Sequence, residues 1–202
     1  MSDHDWQGHV AVFAYDIIGF TRLDQARQRD AKALTDRVLE AAKRKAGLAA
    51  DQSFYQDAGD GGYLMITADA RKAVDVLEAF CTGLAQEYRM LQEDYRVQNR
   101  YAVHYDTIIV EGEETNRRFL GDAINNCARL LSGMRKDVTE QAVCSGAYRD
   151  HVLTFGTVDE RLFTRLRDIV DKHGNRHEVW KLHKSPGYGI AAPTEDLYVS
   201  PR

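Results

Sequence analysis

Proline is nearly missing from this chain. Of 202 residues three are proline, Pro186, Pro193 and Pro201, and all lie beyond Ser185. No linker composition interrupts residues 1–184, which read as one domain, and 185–202 reads as a tail lying over its surface. Cysteine is equally scarce. Cys81, Cys127 and Cys144 are odd in number and far apart, with no CxxC spacing, which excludes a disulfide framework and a zinc site. No apolar run approaches the roughly 20 residues that a membrane span needs. The opening MSDHDW has neither the basic nor the apolar segment of a secretory signal, so the expectation is a cytoplasmic protein that engages no membrane. Neither sign of charge dominates: 27 Lys+Arg against 31 Asp+Glu leave a net −4, which argues against a nucleic-acid coat. Disorder is excluded too, because 44% hydrophobic residues suffice for a core.

What is present alternates between strand-like and helix-like segments. His9–Ile17 is a β-branched and aromatic run, short enough for a buried strand. Leu23–Ala46 has helical period and ends at Gly47, and Ser53–Gln56 and Tyr63–Thr67 flank a glycine turn as a hairpin. Val74, Leu77, Cys81, Leu84, Tyr88 and Leu91 form a helical core stripe. Arg100–His104 and Thr107–Val110 read as two strands, Leu120–Leu131 as a helix with Ile124, Ala128 and Leu131 toward the core, and Val138–Cys144 as a strand. Arg161–Val170 and His177–Leu182 read as a last hairpin. The order β-α-β-β-α-β followed by further α/β units predicts an α+β fold, with a mostly antiparallel sheet and helices on one face.

Two carboxylates stand at the ends of apolar strands. Asp16 closes the run VAVFAY and precedes Ile17-Ile18-Gly19-Phe20-Thr21, and Asp60 sits in the hairpin turn. A carboxylate at the end of a buried strand is costly unless solvated or paired with a cation. Two on neighbouring strands suit Mg²⁺ or Mn²⁺, with the backbone N–H groups of Ile18, Gly19, Phe20 and Thr21 facing phosphates. Taken singly, Asp16 reads as a helix N-cap and Asp60 as a turn residue. Asn125 and Arg129 lie four apart and share a helix face, where an amide and a guanidinium can orient a ribose and neutralise a phosphate. His104 reads as a packed strand residue, Trp6 and Trp180 as edge packing, and Asp57 as a brace for the hairpin.

Together VAVFAYDIIGFTRL (10–23), DAGDGGYLMI (57–66), RYAVHYDTIIVEG (100–112) and FLGDAINNCARLLSG (119–133) resemble the catalytic domain of class III nucleotidyl cyclases, in the family's order and spacing from about residue 9 to 183. The resemblance implies a ferredoxin-like β-α-β-β-α-β core with two Mg²⁺ or Mn²⁺ ions per site. Asp16 and Asp60 would be the metal-binding aspartates, with Ile17 beside them at the metal. It makes Asn125 and Arg129 the pair that orients the ribose and stabilises phosphate charge in the transition state. It also implies a homodimer with composite sites, the aspartates from one protomer and the Asn/Arg helix from its partner. The polyphosphate-binding basic residue of the last hairpin best matches Lys172, with Arg165 and Arg167 as alternatives.

The base pocket departs from the family. Adenylyl cyclases carry Lys four residues before the second metal aspartate and Asp three residues before the glycine of the Asn/Arg helix; here these are Gln56 and Arg118. The Glu and Cys or Ser of guanylyl cyclases are absent as well. A donor-only Arg118 suits a base edge that presents an acceptor, such as uracil O4, and Tyr55, pointing inward, would leave room for a single ring. The chain is thus similar to the pyrimidine cyclases of bacterial Pycsar anti-phage systems. Arg118 and this resemblance make UTP the expected substrate and cyclic UMP the product, with CTP second, ATP disfavoured, a cytidylate or adenylate cyclase as the alternative, and a separate cyclic-nucleotide-responsive effector as partner. Two other classes compete: a catalytically inactive cyclase-like dimer, and a polymerase-palm or diguanylate-cyclase relative. Retention of Asp16, Asp60, Asn125 and Arg129 together opposes the first, and the lack of a GGDEF-like hairpin the second.

Overall fold

A computed structural model describes residues 5–113, 116–135, 139–156, 158–170 and 174–183. Lys172, Val138 and the tail 185–202 lie outside the described residues. Strand β1 (Trp6–Ile17) leads through a short 3-10 turn into α1 (Gln25–Lys45), which Asp24 caps by accepting the Arg27 N–H. Strands β2 (Ser53–Asp57) and β3 (Gly61–Ile66) form the expected hairpin, followed by α2 (Lys72–Tyr88) and β4 (Asn99–Glu111). Short β5 (Arg118–Leu120) then precedes α3 (Asp122–Gly133), β6 (Gln141–Ser145) and α4 (Gly146–Phe155). Strands β7 (Phe163–Arg165), β8 (Ile169–Val170), β9 (Arg176–His177) and β10 (Val179–Leu182) are the last of the described elements.

The main sheet runs β2-β3-β1-β4-β6-β10-β7, with β5 paired to β4 and β8 paired to β9 in a ribbon of its own. Among the described residues every pairing is antiparallel except β4 with β6. The α+β expectation holds, and β2-β3-β1-β4 is the ferredoxin-like order. Helices cover both faces, however, not one. Along β1, Ala11, Phe13, Tyr15 and Ile17 point into a cluster with α1, α2 and α4, while Val10, Val12 and Ala14 point to α3. A strand buried on both faces cannot alternate apolar with polar, which is why it reads as one apolar run.

The last hairpin holds, with 161–170 and 177–182 pairing antiparallel through β7 with β10 and β8 with β9. Two further expectations change. The segments 100–104 and 107–110 are one thirteen-residue strand, β4. Helix α3 buries Ala123, Cys127, Leu130 and Leu131, leaving Ile124 and Ala128 half-buried, so its core face is rotated by about one position. Helix α4, capped by Ser145 accepting the Tyr148 N–H, has no counterpart in the sequence reading.

Candidate active site

Asp16, the penultimate residue of β1, is next after Val10, Val12 and Ala14 in the alternation that faces α3. Directly across on β4 stands Arg100, which the sequence reading missed. Its Nε donates to Asp16 Oδ2 at 3.1 Å, its Nη2 closes on the same oxygen, and its Nη1 donates to the Met134 carbonyl at 3.0 Å. Arg100 therefore ties the first aspartate to the segment that ends α3, and it grips only one carboxylate oxygen. The partnership comes from cross-strand register, and no local motif marks it.

The hairpin turn brings Asp60 alongside. The Ile17 N–H donates to the Asp60 carbonyl at 2.7 Å, and Asp57 Oδ1 accepts the Gly59 N–H at 2.8 Å, which gives Asp57 the bracing role expected of it. Gly61 is required here, because a Cβ would stand 2.1 Å from the Tyr15 carbonyl oxygen. Burial raises the Asp60 carboxyl above its ordinary range, and the neighbouring Asp16 charge pushes the same way. Two adjacent carboxylates with Arg100 as counter-charge form a hard-oxygen site. Among the described residues no group of three or more His, Cys, Asp and Glu could hold a metal. A pair still fits Mg²⁺, which is commonly held by one or two carboxylates together with substrate phosphates. Ile17 is 2% exposed with its side chain in the core, so only its backbone faces this site.

Of the four expected phosphate-facing N–H groups, that of Ile18 is committed to the Gln98 carbonyl at 2.8 Å. Gly19 turns the chain at φ 73°, and Phe20–Arg22 make only a 3-10 turn, so α1 does not begin at the aspartate. The N-cap of α1 is Asp24, eight residues beyond Asp16.

Asn125 and Arg129 lie on α3 as expected. The helix starts at Gly121, packed against Thr107, and ends at Gly133, just before the Met134 that Arg100 holds. Arg129 Nη1 donates to Asn126 Oδ1 at 2.6 Å, back toward the helix start, and Asn125 Nδ2 donates to the Gly121 carbonyl at 3.3 Å. The Asn125 and Arg129 side chains are thus both turned back along α3 toward Gly121.

The base-pocket residues separate. Phe54 packs on the α3 face, and Gln56, two residues on, shares that face. Tyr55 turns the other way. Its hydroxyl lies 3.0 Å from that of Tyr15 and accepts from Lys32 Nζ at 3.2 Å, and burial pushes its pKa far up. Tyr55 therefore pins α1 to the sheet and does not line a pocket with Gln56. Arg118 is exposed and donates to Glu111 at 2.7 Å, whereas Phe119 meets Phe54 with ring centroids 6.3 Å apart. Arg117, which the sequence reading passed over, stands 5.0 Å over the Phe54 ring.

No protein-family model matches the sequence, and no curated protein matches it. Solved structures do. The catalytic core of a rhodopsin-guanylyl cyclase with converted specificity, in complex with ATPαS, superposes with a TM-score of 0.68 at 14% identity, over 91% of this chain and 100% of that one. The adenylate/guanylate cyclase/hydrolase from Silicibacter pomeroyi gives 0.67 at 18%, over 89% and 99%. The guanylate cyclase domain of RhGC from Catenaria anguillulae, in complex with GTP, gives 0.64 at 14%, over 89% and 98%. The fold is that of adenylate and guanylate cyclase catalytic domains. At these identities the likeness concerns the fold, and the chemistry has to be argued from the residues.

Proposed function

We propose that this protein is a nucleotidyl cyclase that converts a nucleoside triphosphate to a 3′,5′-cyclic mononucleotide and pyrophosphate. One observation carries the reading: on the cyclase fold, Asp16 and Asp60 are adjacent at the end of β1 and the β2–β3 turn, while the Asn125 and Arg129 side chains are turned back along α3 toward Gly121. Each chain then offers two half-sites, and a two-fold dimer joins the aspartates of one protomer to α3 of its partner. A divalent ion held by Asp16 and Asp60 would supply charge neutralisation and activation of the ribose 3′-hydroxyl. Arg129 neutralises charge that develops on the phosphates during in-line attack on the α-phosphorus, and Asn125 orients the ribose. Arg100 holds Asp16 in place.

For the base, UTP is the proposed substrate and cyclic UMP the product, with CTP second. Gln56 and Arg118 support this by replacing the residues that read adenine, although Arg118 pairs with Glu111 on the side of the sheet away from Phe119 and Gln56. Tyr55 adds nothing to that preference from its place against Tyr15. A cyclic-nucleotide-responsive effector, as in anti-phage signalling, is the partner this reading entails.

Purified protein with Mn²⁺ and each of the four triphosphates in turn should release pyrophosphate and one cyclic mononucleotide identified by mass. A dinucleotide product would instead select a diguanylate-cyclase relative, and no turnover with any of the four would end the cyclase reading. Asp16→Asn and Arg129→Ala should each be inactive alone. Mixed, they should regain activity through the one intact site of the heterodimer, and heterodimers without recovery would refute the shared site.

A further inference from the structure

The guanidinium assigned to phosphate charge does not stand alone on its helix. Arg129 Nη1 donates to Asn126 Oδ1 at 2.6 Å, Asn126 Nδ2 donates to Asp106 Oδ2 at 3.5 Å, and His104 Nε2 lies 3.4 Å from that same oxygen. His104 Nδ1 in turn lies 2.7 Å from Ser145 Oγ. We propose that Asn126, Asp106 and His104 are positioning residues that aim the Arg129 guanidinium, an inference that rests on the cyclase reading of Arg129.

The polarity of every link follows from its neighbours. Asp106 Oδ2 offers no proton, so a neutral His104 ring carries its own on Nε2, facing Asp106, and its bare Nδ1 accepts from the Ser145 hydroxyl. Ser145 Oγ keeps a lone pair for the Tyr148 N–H that it caps at 3.1 Å. Burial lowers the His104 pKa, which keeps the ring neutral. A carboxylate only accepts, so Asn126 must present its amide nitrogen to Asp106 and therefore its oxygen to Arg129. Asp106 is itself fixed, its other oxygen accepting the Thr107 N–H at 2.8 Å. Both bonds to the shared Asp106 oxygen are long, so the relay transmits direction more than energy. Its far end is rigid: His104 and Ser145 are 6% and 7% exposed between β4 and β6. An arginine on a helix surface otherwise samples many rotamers, and ordering it beforehand removes that entropy cost from the reaction step. The Ser–His–Asp order is not a hydrolytic triad, because the buried serine oxygen is committed to capping α4.

The test uses the full-length protein. Asn126→Leu should lower kcat roughly tenfold to a hundredfold while KM moves less than about twofold, because misaiming costs transition-state stabilisation and leaves ground-state binding. Asp106→Ala should lower kcat by a smaller factor, and the double variant should be no worse than Asn126→Leu alone, as links of one relay are not additive. A kcat within about twofold of wild type for Asn126→Leu, or losses that multiply in the double variant, would overturn the proposal. A second readout needs neither turnover nor a variant. Nitrogen-15 NMR of the wild-type protein should find His104 protonated on Nε2 and the Arg129 guanidinium in slow rotation about Nε–Cζ. A ring protonated on Nδ1, or a freely rotating guanidinium, would refute the relay. If no triphosphate is turned over, the cyclase reading fails, and the ring and guanidinium signals still decide the relay.

Discussion

One strand serves two different faces. On the side of α1, α2 and α4, β1 presents Ala11, Phe13, Tyr15 and Ile17 to a closed aromatic core, in which Phe13 packs among Tyr15, Phe80 and Tyr101. Its polar groups include one linked set, Tyr15, Tyr55, Lys32 and Asp36. On the α3 side the same strand presents Val10, Val12, Ala14 and then Asp16, under a single twelve-residue helix. Trp6, Phe54, Tyr63 and Phe119 are only half-covered on that side, and Tyr63 is pushed up to about 12 by burial beside Cys127, Asp16 and Asp60. The closed face makes the fold, and the thinly covered face carries the charges and the aromatic rim where a second copy and a nucleotide would sit.

Exchanging damage between the faces gives the largest contrast. Asp16→Asn should cut turnover by roughly a thousandfold or more, the scale of several kcal/mol of electrostatic stabilisation. Its unfolding free energy should fall by no more than about 1–3 kcal/mol, since the amide oxygen still accepts from Arg100. Phe13→Ala, at 0% exposure, should do the reverse, removing about 3–5 kcal/mol of stability. The protein that remains folded should keep its kcat. Urea unfolding and steady-state rates on both variants check this, and an Asp16→Asn protein that retains substantial turnover would dismiss the metal assignment.

The closed face was the more legible in sequence, and the reason is physical. Core stripes such as Val74, Leu77, Cys81 and Leu84 follow helical geometry within one segment, and all four are buried. The Asp16 and Asp60 pair was legible because a carboxylate after an apolar run and a glycine-rich turn are local signals too. Arg100 was missed because its meaning arises from pairing with a residue 84 positions away in sequence. Strand β4 read as two pieces because Tyr105-Asp106 interrupts its run, and Asp106 is the residue that reaches toward α3. Tyr55 was misread although parity was available: it alternates with Phe54 and Gln56, so it could not share their face.

A milder change sharpens the same division. Tyr55→Phe deletes one hydroxyl from the network with Tyr15 and Lys32 on the closed face, where a neutral hydrogen bond contributes about 1 kcal/mol. The variant should lose about that much stability and keep the same order of preference among the four triphosphates. A changed order would return Tyr55 to the base pocket and undo the separation of faces at β2.

The smallest effect is a pH dependence set by His104. In the folded protein burial lowers its pKa from the ordinary 6.5, opposed by Asp106 and Asp122 and reinforced by His177. The unfolded chain takes up a proton as pH falls through 6.5, while the folded protein does not until the pH is lower. Stability contributed by this group is therefore full above 6.5 and is lost as pH falls toward the folded value, with a slope of at most about 1.4 kcal/mol per pH unit. His151 and His183 are also lowered by burial and shift stability in the same direction, so the wild-type curve alone does not isolate His104. His104→Gln removes only this contribution. The gap in unfolding free energy between wild type and His104→Gln should narrow as pH drops from 7.5 to 5, with both variants folded throughout. A gap that stays constant or widens would mean that the His104 ring titrates normally and is not the buried neutral anchor of the α3 face.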